Sequence, residues 1–528
     1  MRYLKKNSIN KRVFICITIL LLLSCFILLV HSQENKDQID ILIEILKKGK
    51  VSEKIKAIEK LKIIKDPRAV QALIETLKES EKDVQRAATK ALEDIRGDYA
   101  VPPLIDALKD EYAFVRSTAA YTLGNLRSKE AIQPLIKALK DEDDLVRQYA
   151  VLSLGKIRDN QSLEPLIEAL KDKDIYVRYE AVKALNGLDN QQAVPALIDA
   201  LKDNDDHMRG EVVVALRELK DKRAVPALIA ALKDKDDFVR SSAARGLGEM
   251  GDINAVPALI EALKDKNAAV QSAAAESLGQ LRDPQAIEPL INTIKNDSII
   301  RKEVIIALSR FNDERVIQPL IAAVNDAGSA QTEAIRIMGA RKEIRAVPAL
   351  IIALHDIDNY ARIAAASALG DIKDERAVPA LIEALKDKDE DVRGNAIIAL
   401  GNIKDERAVE PIVKRLKDKK ERVRLDAGYA LGEIRTPRAE EALSEALKKK
   451  KIEIIAGAFR YFVRKGQPGS EDLLIQVLYK INNPYMAMDY YNSGNEKLKA
   501  AAKEWINKQP YPVAFGEKLQ DHVQWGSD

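Results

Sequence analysis

Cysteine and histidine, the residue types that most often act as nucleophiles or bind metals, are scarce in this chain. Both cysteines, Cys16 and Cys25, lie near the N-terminus, so the rest of the sequence has no thiol for catalysis, disulfide formation or metal binding. Beyond the N-terminal segment, the histidines are His207, His355 and His522. They are too far apart in sequence to place two ligands on one helical face. We therefore expect a protein without catalytic residues, metal or cofactor.

Aspartate and arginine, which are able to hold an ion or a ligand, instead recur at a fixed spacing. An aspartate before a helix accepts hydrogen bonds from free backbone N–H groups, and an arginine one turn later can bridge to the same repeat or the next. Since repetition favours a structural role, we interpret these pairs as a structural ladder rather than a ligand clamp. The ladder consists of Asp174 and Arg178, Asp205 and Arg209, Asp236 and Arg240, Asp358 and Arg362, and Asp389 and Arg393.

The sequence that carries these pairs repeats with a period of 31 residues. In one copy, residues 225–232 have apolar side chains at i, i+3, i+4 and i+7, and residues 239–250 form a second apolar stripe after a polar turn. Such a unit is too small to bury its own core and must stack on its neighbours. The copies open at Val70, Val101, Ile132, Leu163, Val194, Val225, Val256, Ile287, Ile317, Val347, Val378, Val409 and Glu440.

Divergent copies extend this series at both ends. Stepping back one period reaches Ile39, and stepping forward reaches an apolar stripe at residues 471–478. The sequence thus predicts an all-α fold, a right-handed α-solenoid of about fifteen two-helix repeats. We assign the repeats to residues 33–450, and a divergent last repeat with an aromatic-rich C-terminal cap to residues 451–528.

The recurring string Ala-Val-Pro-Ala-Leu-Ile-x-Ala-Leu-Lys-Asp, followed by Val-Arg and Ala-Leu-Gly, resembles the HEAT-like repeats of the phycocyanobilin lyase class. That class contains bilin lyase subunits, deoxyhypusine hydroxylases and binding scaffolds, so the resemblance implies the fold more strongly than the function. Deoxyhypusine hydroxylases hold two irons through repeated His-Glu pairs. Here the histidines precede Met208, Asp356 and Val523, so the pattern of that enzyme is absent.

By the same resemblance, second helices line the concave face of the stack. The position five residues after each Val-Arg arginine points away from the core stripe and varies between repeats. Its mixture of aromatic, aliphatic and charged residues suits protein recognition, although a position that nothing constrains would vary as well. The candidate partner-binding residues are Tyr121, Leu152, Lys183, Val214, Arg245, Glu276, Ile306, Arg336, Ser367, Ile398 and Tyr429.

Two parts of the chain depart from the repeat. Residues 1–32 combine a basic start with an uncharged apolar run over residues 13–30, which is typical of a signal peptide or a signal anchor. Lipidation at Cys25 is a further alternative, and all three predict export, to the periplasm or another extracytoplasmic side. Near residues 295–331 two steps shorten to 30 residues, which predicts a change in curvature, a joint or a neutral deletion.

These observations favour a noncatalytic protein-interaction scaffold outside the cytoplasmic membrane, binding a protein partner along its concave face. A bilin lyase-like chromophore-handling subunit and a membrane-anchored regulator of an envelope complex are the alternatives. Lysine and arginine total 85 against 82 for aspartate and glutamate, and aromatic residues make up 5%. With no basic stripe carrying interleaved aromatics, we do not expect a nucleic-acid partner.

Overall fold

The computed structural model describes residues 38–64, 66–295, 299–326, 328–509 and 523–527, and every regular element in these ranges is a helix. The predicted signal peptide, anchor or lipidation site in residues 1–32 lies outside the described residues. Within the described ranges, no helix is both long enough and apolar enough to cross a membrane.

The helices alternate between a first and a second helix of each repeat. The first helices are α1 (38–48), α3 (Pro67–Thr76), α5 (Val101–Ala107), α7 (Ile132–Ala138), α9 (Leu163–Ala169), α11 (Val194–Ala200), α13 (Val225–Ala231), α15 (Val256–Ala262), α17 (Ile287–Lys295), α19 (Ile317–Ala323), α21 (Val347–Ala353), α23 (Val378–Ala384), α25 (Val409–Arg415) and α27 (Pro437–Lys448). The second helices are α2 (Val51–Ile63), α4 (Lys82–Glu93), α6 (Ala113–Leu126), α8 (Asp144–Ile157), α10 (Ile175–Leu188), α12 (Asp206–Leu219), α14 (Asp237–Met250), α16 (Ala268–Leu281), α18 (Arg301–Ser309), α20 (Ser329–Ala340), α22 (Asn359–Ile372), α24 (Glu390–Ile403), α26 (Glu421–Ile434) and α28 (Ile452–Gly457). The chain then continues through α29 (Phe459–Lys465), α30 (Glu471–Ile481), α31 (Pro484–Asn492) and α32 (Glu496–Asn507).

The described residues group into two compact units, the first ending at Ala262 and the second beginning at Leu263. Each unit is a series of stacked helix pairs in which the second helix of one repeat packs on the second helix of the next, as α6 does on α8 and α24 on α26. The α-solenoid predicted from the 31-residue period is thus confirmed.

Local sequence explains where the helices of one repeat begin and end. Before α13, a one-turn 3-10 helix (Lys222–Ala224) leads into Pro226, whose missing N–H lies in the first turn of the helix, where it has no intrahelical partner. The carboxylate of Asp236 then accepts from the backbone N–H of Val239 at 3.0 Å and caps α14. The helix ends at Gly251, which has a left-handed φ of 68°.

Buried aliphatic residues and small residues set how closely the repeats approach. Leu228 and Leu247 of the same repeat are completely buried, and so are their counterparts in neighbouring repeats. Gly124 of α6 lies directly against Ser153 of α8, whose hydroxyl donates to the carbonyl oxygen of Ala120 at 2.7 Å. A Cβ at position 124 would lie 2.7 Å from the Cα of Ser153, so this contact between second helices requires glycine.

The two shortened repeats lie inside the second unit and retain a bridge between helices. At the arginine position of α20 stands Gln331, whose Nε2 donates to the Asp356 carboxylate at 2.9 Å and to the Val324 carbonyl at 3.2 Å. The preceding Gly328 has a φ of 84°, which glycine adopts without strain. A change of curvature at residues 295–331 remains a prediction.

Aromatic residues fill the interior of the C-terminal segment. Phe462 and Tyr490 are fully buried, and the indole Nε1 of Trp505 donates to the side chain of Asn482 at 2.9 Å. Residues 523–527 return to this segment, where the backbone N–H of Trp525 donates to the carbonyl oxygen of Ser493 at 2.8 Å. The role of this segment as a cap on the last repeat remains a prediction.

Candidate interaction surface

Buried arginines of the second helices hold the turns of neighbouring repeats in register. The guanidinium of Arg209 donates two hydrogen bonds to the carboxylate of Asp234 in the next repeat, both of 2.7 Å. Its third nitrogen donates to the carbonyl oxygen of Asp203 at 2.9 Å, in the turn before its own helix. One side chain therefore fixes the turn of its own repeat against the turn of the next, and the bidentate geometry also sets their orientation.

The aspartates of the predicted ladder cap helices, and a different set of aspartates pairs with the arginines. The five aspartates 174, 205, 236, 358 and 389 cap the second helices by accepting from backbone N–H groups. The arginine partner is the aspartate two residues before the next cap, and sequence reasoning did not identify it. The Asp-x-Asp spacing of the turn was the available signal. Bidentate bridges of this kind join Arg116 to Asp141, Arg147 to Asp172, Arg178 to Asp203, Arg209 to Asp234, Arg362 to Asp387 and Arg393 to Asp418.

The bridge keeps both of its groups ionised. Hydrogen bonding to Arg209 lowers the pKa of the Asp234 carboxyl, with burial acting in the opposite direction. The same hydrogen bonds raise the pKa of the Arg209 guanidinium. Because the charges satisfy one another and the backbone, these residues are not available to a ligand.

The residues predicted for partner binding lie on the surface of the second helices. Five of them are exposed, namely Lys183, Arg245, Glu276, Arg336 and Ser367. Six are half-buried, namely Tyr121, Leu152, Val214, Ile306, Ile398 and Tyr429. In each unit they form a column that runs from helix to helix, exposed in some repeats and partly covered in others, and their role in partner binding remains a prediction.

A second column, which sequence reasoning missed, lies on the same helices of the first unit. It occupies the position before the buried Val or Met of each second helix, seven residues or about two turns before the first column. Phe114 is 43% exposed, Leu145 51%, Tyr176 64% and Phe238 50%, and His207 is exposed as well. The recurrence of large apolar or aromatic side chains at a 31-residue interval was the signal in the sequence.

We call these two columns together the second-helix face of the first unit. It consists of Phe114, Leu145, Tyr176, His207, Phe238, Tyr121, Leu152, Lys183, Val214 and Arg245. Monomeric proteins rarely expose a contiguous row of large apolar side chains, and aromatic residues are the commonest anchors of protein interfaces.

Contacts between neighbouring helices hold several of these rings in place. His207 stacks on Tyr179 of the preceding helix, with ring centroids 5.2 Å apart. The ring of Phe238 lies over Gly210, where an added Cβ would approach it to 2.7 Å. Rings that are already ordered lose little further entropy on binding, so they suit a docking surface.

One lysine of this face, Lys183, and the neighbouring Lys156 lie over tyrosine rings. The ammonium of Lys156 is 4.3 Å from the ring centroid of Tyr121, and that of Lys183 is 5.2 Å from the ring of Tyr179. Burial lowers the pKa of the Lys156 ammonium, and burial together with the nearby Glu211 raises the pKa of the Tyr179 hydroxyl. The face thus combines aromatic rings, a residue type that is enriched at protein interfaces, with partly desolvated charges.

The described residues contain no group of three His, Cys, Asp or Glu side chains arranged to hold a metal ion. His207 stacks on a tyrosine, and His355 follows a first helix at a solvent-facing turn. What this surface offers chemically is apolar contact, cation–π contact and hydrogen bonding.

The family model described as HEAT repeats matches most of this chain. The matches cover residues 39–124, 101–174, 163–248, 236–299, 256–332, 328–393 and 378–461. No curated protein matches the sequence.

Several solved structures are similar in fold. A chain of the structure in which Kap95p binds RanGDP has 16% identity and a TM-score of 0.55, over 90% of this chain and 80% of that one. A chain of the CpcE and CpcF complex of phycocyanin lyase from Nostoc sp. PCC7120 has 23% identity and a TM-score of 0.27, over 46% of this chain and 94% of that one. Human deoxyhypusine hydroxylase has 25% identity and a TM-score of 0.22, over 46% of this chain and 95% of that one.

The first of these similarities supports the shared solenoid fold alone, and the other two carry no argument about function. The matches over residues 39–461 show that the chain belongs to the HEAT-repeat family, in agreement with its stacked helix pairs and with the bridges that recur from repeat to repeat.

Proposed function

We propose that this chain is a noncatalytic scaffold that binds a protein partner through the second-helix face of its first unit. The observation that carries the proposal is the column Phe114, Leu145, Tyr176, His207 and Phe238, which places a large exposed side chain at the same position of five successive helices. Burying several such side chains contributes most of the binding energy at typical protein interfaces.

The geometry of the face suits an elongated binding segment. Neighbouring packed helices lie about 8–10 Å apart, so a partner that crosses the helices meets one anchor at each step. The exposed and half-buried charges of Lys183, Glu211 and Arg245 lie beside these anchors and would fix the register of the partner.

We further propose that the scaffold works outside the cytoplasmic membrane. The basic start and apolar run of residues 1–32 support this location, as does the lack of cysteine after residue 25. Fractionation of cells followed by mass measurement of the mature N-terminus tests it. Recovery of the full-length chain from the cytoplasm would contradict export.

A binding experiment tests the docking surface itself. Once a partner has been captured by crosslinking in intact cells, its affinity is measured for wild type, for the double variant Tyr176→Ala/Phe238→Ala and for the control Ile253→Ala. Ile253 is 61% exposed but lies in the turn before a first helix, outside the second-helix face.

We expect the double variant to bind at least about thirtyfold more weakly, since each aromatic anchor contributes at least 1 kcal/mol. Its melting temperature should stay close to that of wild type because both rings are half exposed. Equal affinities for the double variant and the control would refute the assignment of this face.

A further inference from the structure

The turns between first and second helices change their charge at the end of the repeat series. Six residues form each turn, and their net charge is at most +1 in every repeat from residue 78 up to residue 386, whereas residues 47–52 of the divergent first repeat carry +3. Residues 386–391 carry −2, whereas residues 417–422 carry +2 and residues 448–453 carry +3. Two neighbouring turns of the second unit are therefore strongly basic.

Lysines in these two repeats replace acids that have a structural role elsewhere. Lys414 stands where several other first helices carry an acid that pairs with the lysine three residues later, as Glu383 does with Lys386 at 3.0 Å. Lys420 and Lys451 stand at the cap positions of α26 and α28, and neither side chain makes a capping hydrogen bond. Each replacement gives up a stabilising contact that several other repeats make.

The bridge between repeats is also lost at this point. Lys449 stands where the bridging aspartate occurs in other repeats, so Arg424 has no bidentate partner and lies 3.9 Å from Glu453 instead. Residues that weaken a repeated structural pattern in one place are expected at functional sites, because function is what compensates for the lost stability.

The lysines form one exposed group, which we call the lysine patch. It consists of Lys388, Lys414, Lys417, Lys419, Lys450 and Lys451, and all six are exposed. Lys388, Lys419 and Lys450 occupy the same turn position in three successive repeats. Four of the six line a cavity of about 380 Å³ between two of the turns, together with Arg415. In the part of the chain that the structure describes, none of the six forms an ion pair.

We propose that the lysine patch binds the surface of an anionic phospholipid membrane. Lysine ammonium groups are mobile point charges that suit a diffuse layer of phosphates, whereas recognition of carboxylates in a protein favours the planar fork of arginine. No aromatic residue occurs in residues 386–391, 417–422 or 448–453, so the patch has no ring on which a nucleic-acid base stacks. The phosphate surface of a bilayer therefore matches the charge of the patch better than a protein or a nucleic acid does.

Amine labelling of the full chain tests this proposal. It measures the accessibility of each lysine separately, even if another segment also contacts the bilayer. The protein is mixed with vesicles of phosphatidylcholine alone or of equimolar phosphatidylcholine and phosphatidylglycerol, and the labelling rate of each lysine is measured by mass spectrometry. Lys109 and Lys202 serve as matched controls, since they occupy the position of Lys417 in other turns but pair with Asp106 and Asp199.

On the anionic vesicles we expect Lys414, Lys417 and Lys419 to react about fivefold more slowly than on neutral vesicles, which corresponds to about 1 kcal/mol per lysine. High salt should abolish this difference, and the rates of Lys109 and Lys202 should not change. In the variant Lys414→Glu/Lys419→Glu, Lys417 should lose its protection, whereas in Lys109→Glu/Lys202→Glu it should keep it.

Equal labelling on the two kinds of vesicle would overturn the proposal. The proposal would also be overturned if polyglutamate or duplex DNA, at the same concentration of negative charge, protected the lysines from labelling as well as the anionic vesicles do, or better. Neither result bears on the second-helix face, which lies in the first unit.

Discussion

Removing Arg209 tests whether the buried bridges hold the repeats together. Its guanidinium is 6% exposed and its partner carboxylate on Asp234 is 14% exposed. Breaking a buried pair by removing one partner costs about 3–5 kcal/mol, because the other charge stays behind unpaired. Since water reaches part of Asp234, we expect Arg209→Ala to lower the free energy of unfolding by about 3 kcal/mol, the lower end of that range.

The matched control is Arg223→Ala, in a pair at the start of the neighbouring first helix. Arg223 donates to Asp221, but its side chain is 55% exposed, and exposed pairs contribute less than about 1 kcal/mol. Urea unfolding gives the global effect of each variant. Because repeat proteins can unfold locally, hydrogen exchange of α12 and α14 is measured as well.

A double-mutant cycle separates the bridge from the packing of the arginine stem. Arg209→Ala combined with Asp234→Ala should show a coupling energy of at least about 1 kcal/mol. If Arg209→Ala costs no more than Arg223→Ala, the bridge does not stabilise the stack and the reasoning fails.

Three further substitutions test other parts of the structure. Asp426 is 6% exposed, and burial raises the pKa of its carboxyl to about 6, above the unfolded value of 3.8. The protonated form is therefore the stabilising one, and its contribution is complete below pH 3.8 and lost as the pH rises through about 6. Urea midpoints across pH should show Asp426→Asn to be more stable than wild type above pH 6 by up to about 3 kcal/mol, and an advantage only in acid would contradict the sign. Gly124→Ala should cost about 1–3 kcal/mol in thermal unfolding, whereas Gly246→Ala, whose nearest neighbouring atom would be 3.4 Å away, should be neutral or stabilising. Similar losses at both glycines would refute close packing at Gly124. Trp505→Phe should cost about 1 kcal/mol by leaving Asn482 without its donor, and a fluorescence-monitored melt unchanged from wild type would contradict that hydrogen bond.

The fold was predictable because the same physical requirement recurs every 31 residues. An apolar stripe such as that of residues 225–232 is buried only when it packs on neighbouring repeats. Capping residues such as Asp236 mark where the helices start. The carboxylate partner of each arginine was not predictable from one repeat, since the bridge joins residues 25 positions apart across a packed contact. The Asp-x-Asp turn supplied two carboxylates, and only the three-dimensional structure distinguishes their roles.

The candidate surface was predictable in part. Helical periodicity located Lys183 and Arg245 on the outer side of their helices, but it did not single out the apolar column that begins at Phe114. An exposed ring and a core ring are the same residue type, and exposure depends on how the neighbouring helix packs. For Phe238 that contact is Gly210, a residue whose role is visible only once the ring lies over it.

Site-specific photo-crosslinking in intact cells tests the central claim most directly, namely that the second-helix face of the first unit binds a protein partner. A photoreactive residue is placed at position 176 or 238, or at position 133 on an exposed site of a first helix. We predict that the first two positions give the same crosslinked protein and that the residue replacing Gln133 does not. Crosslinking of that protein from position 133 alone, or equally from all three positions, would contradict the account.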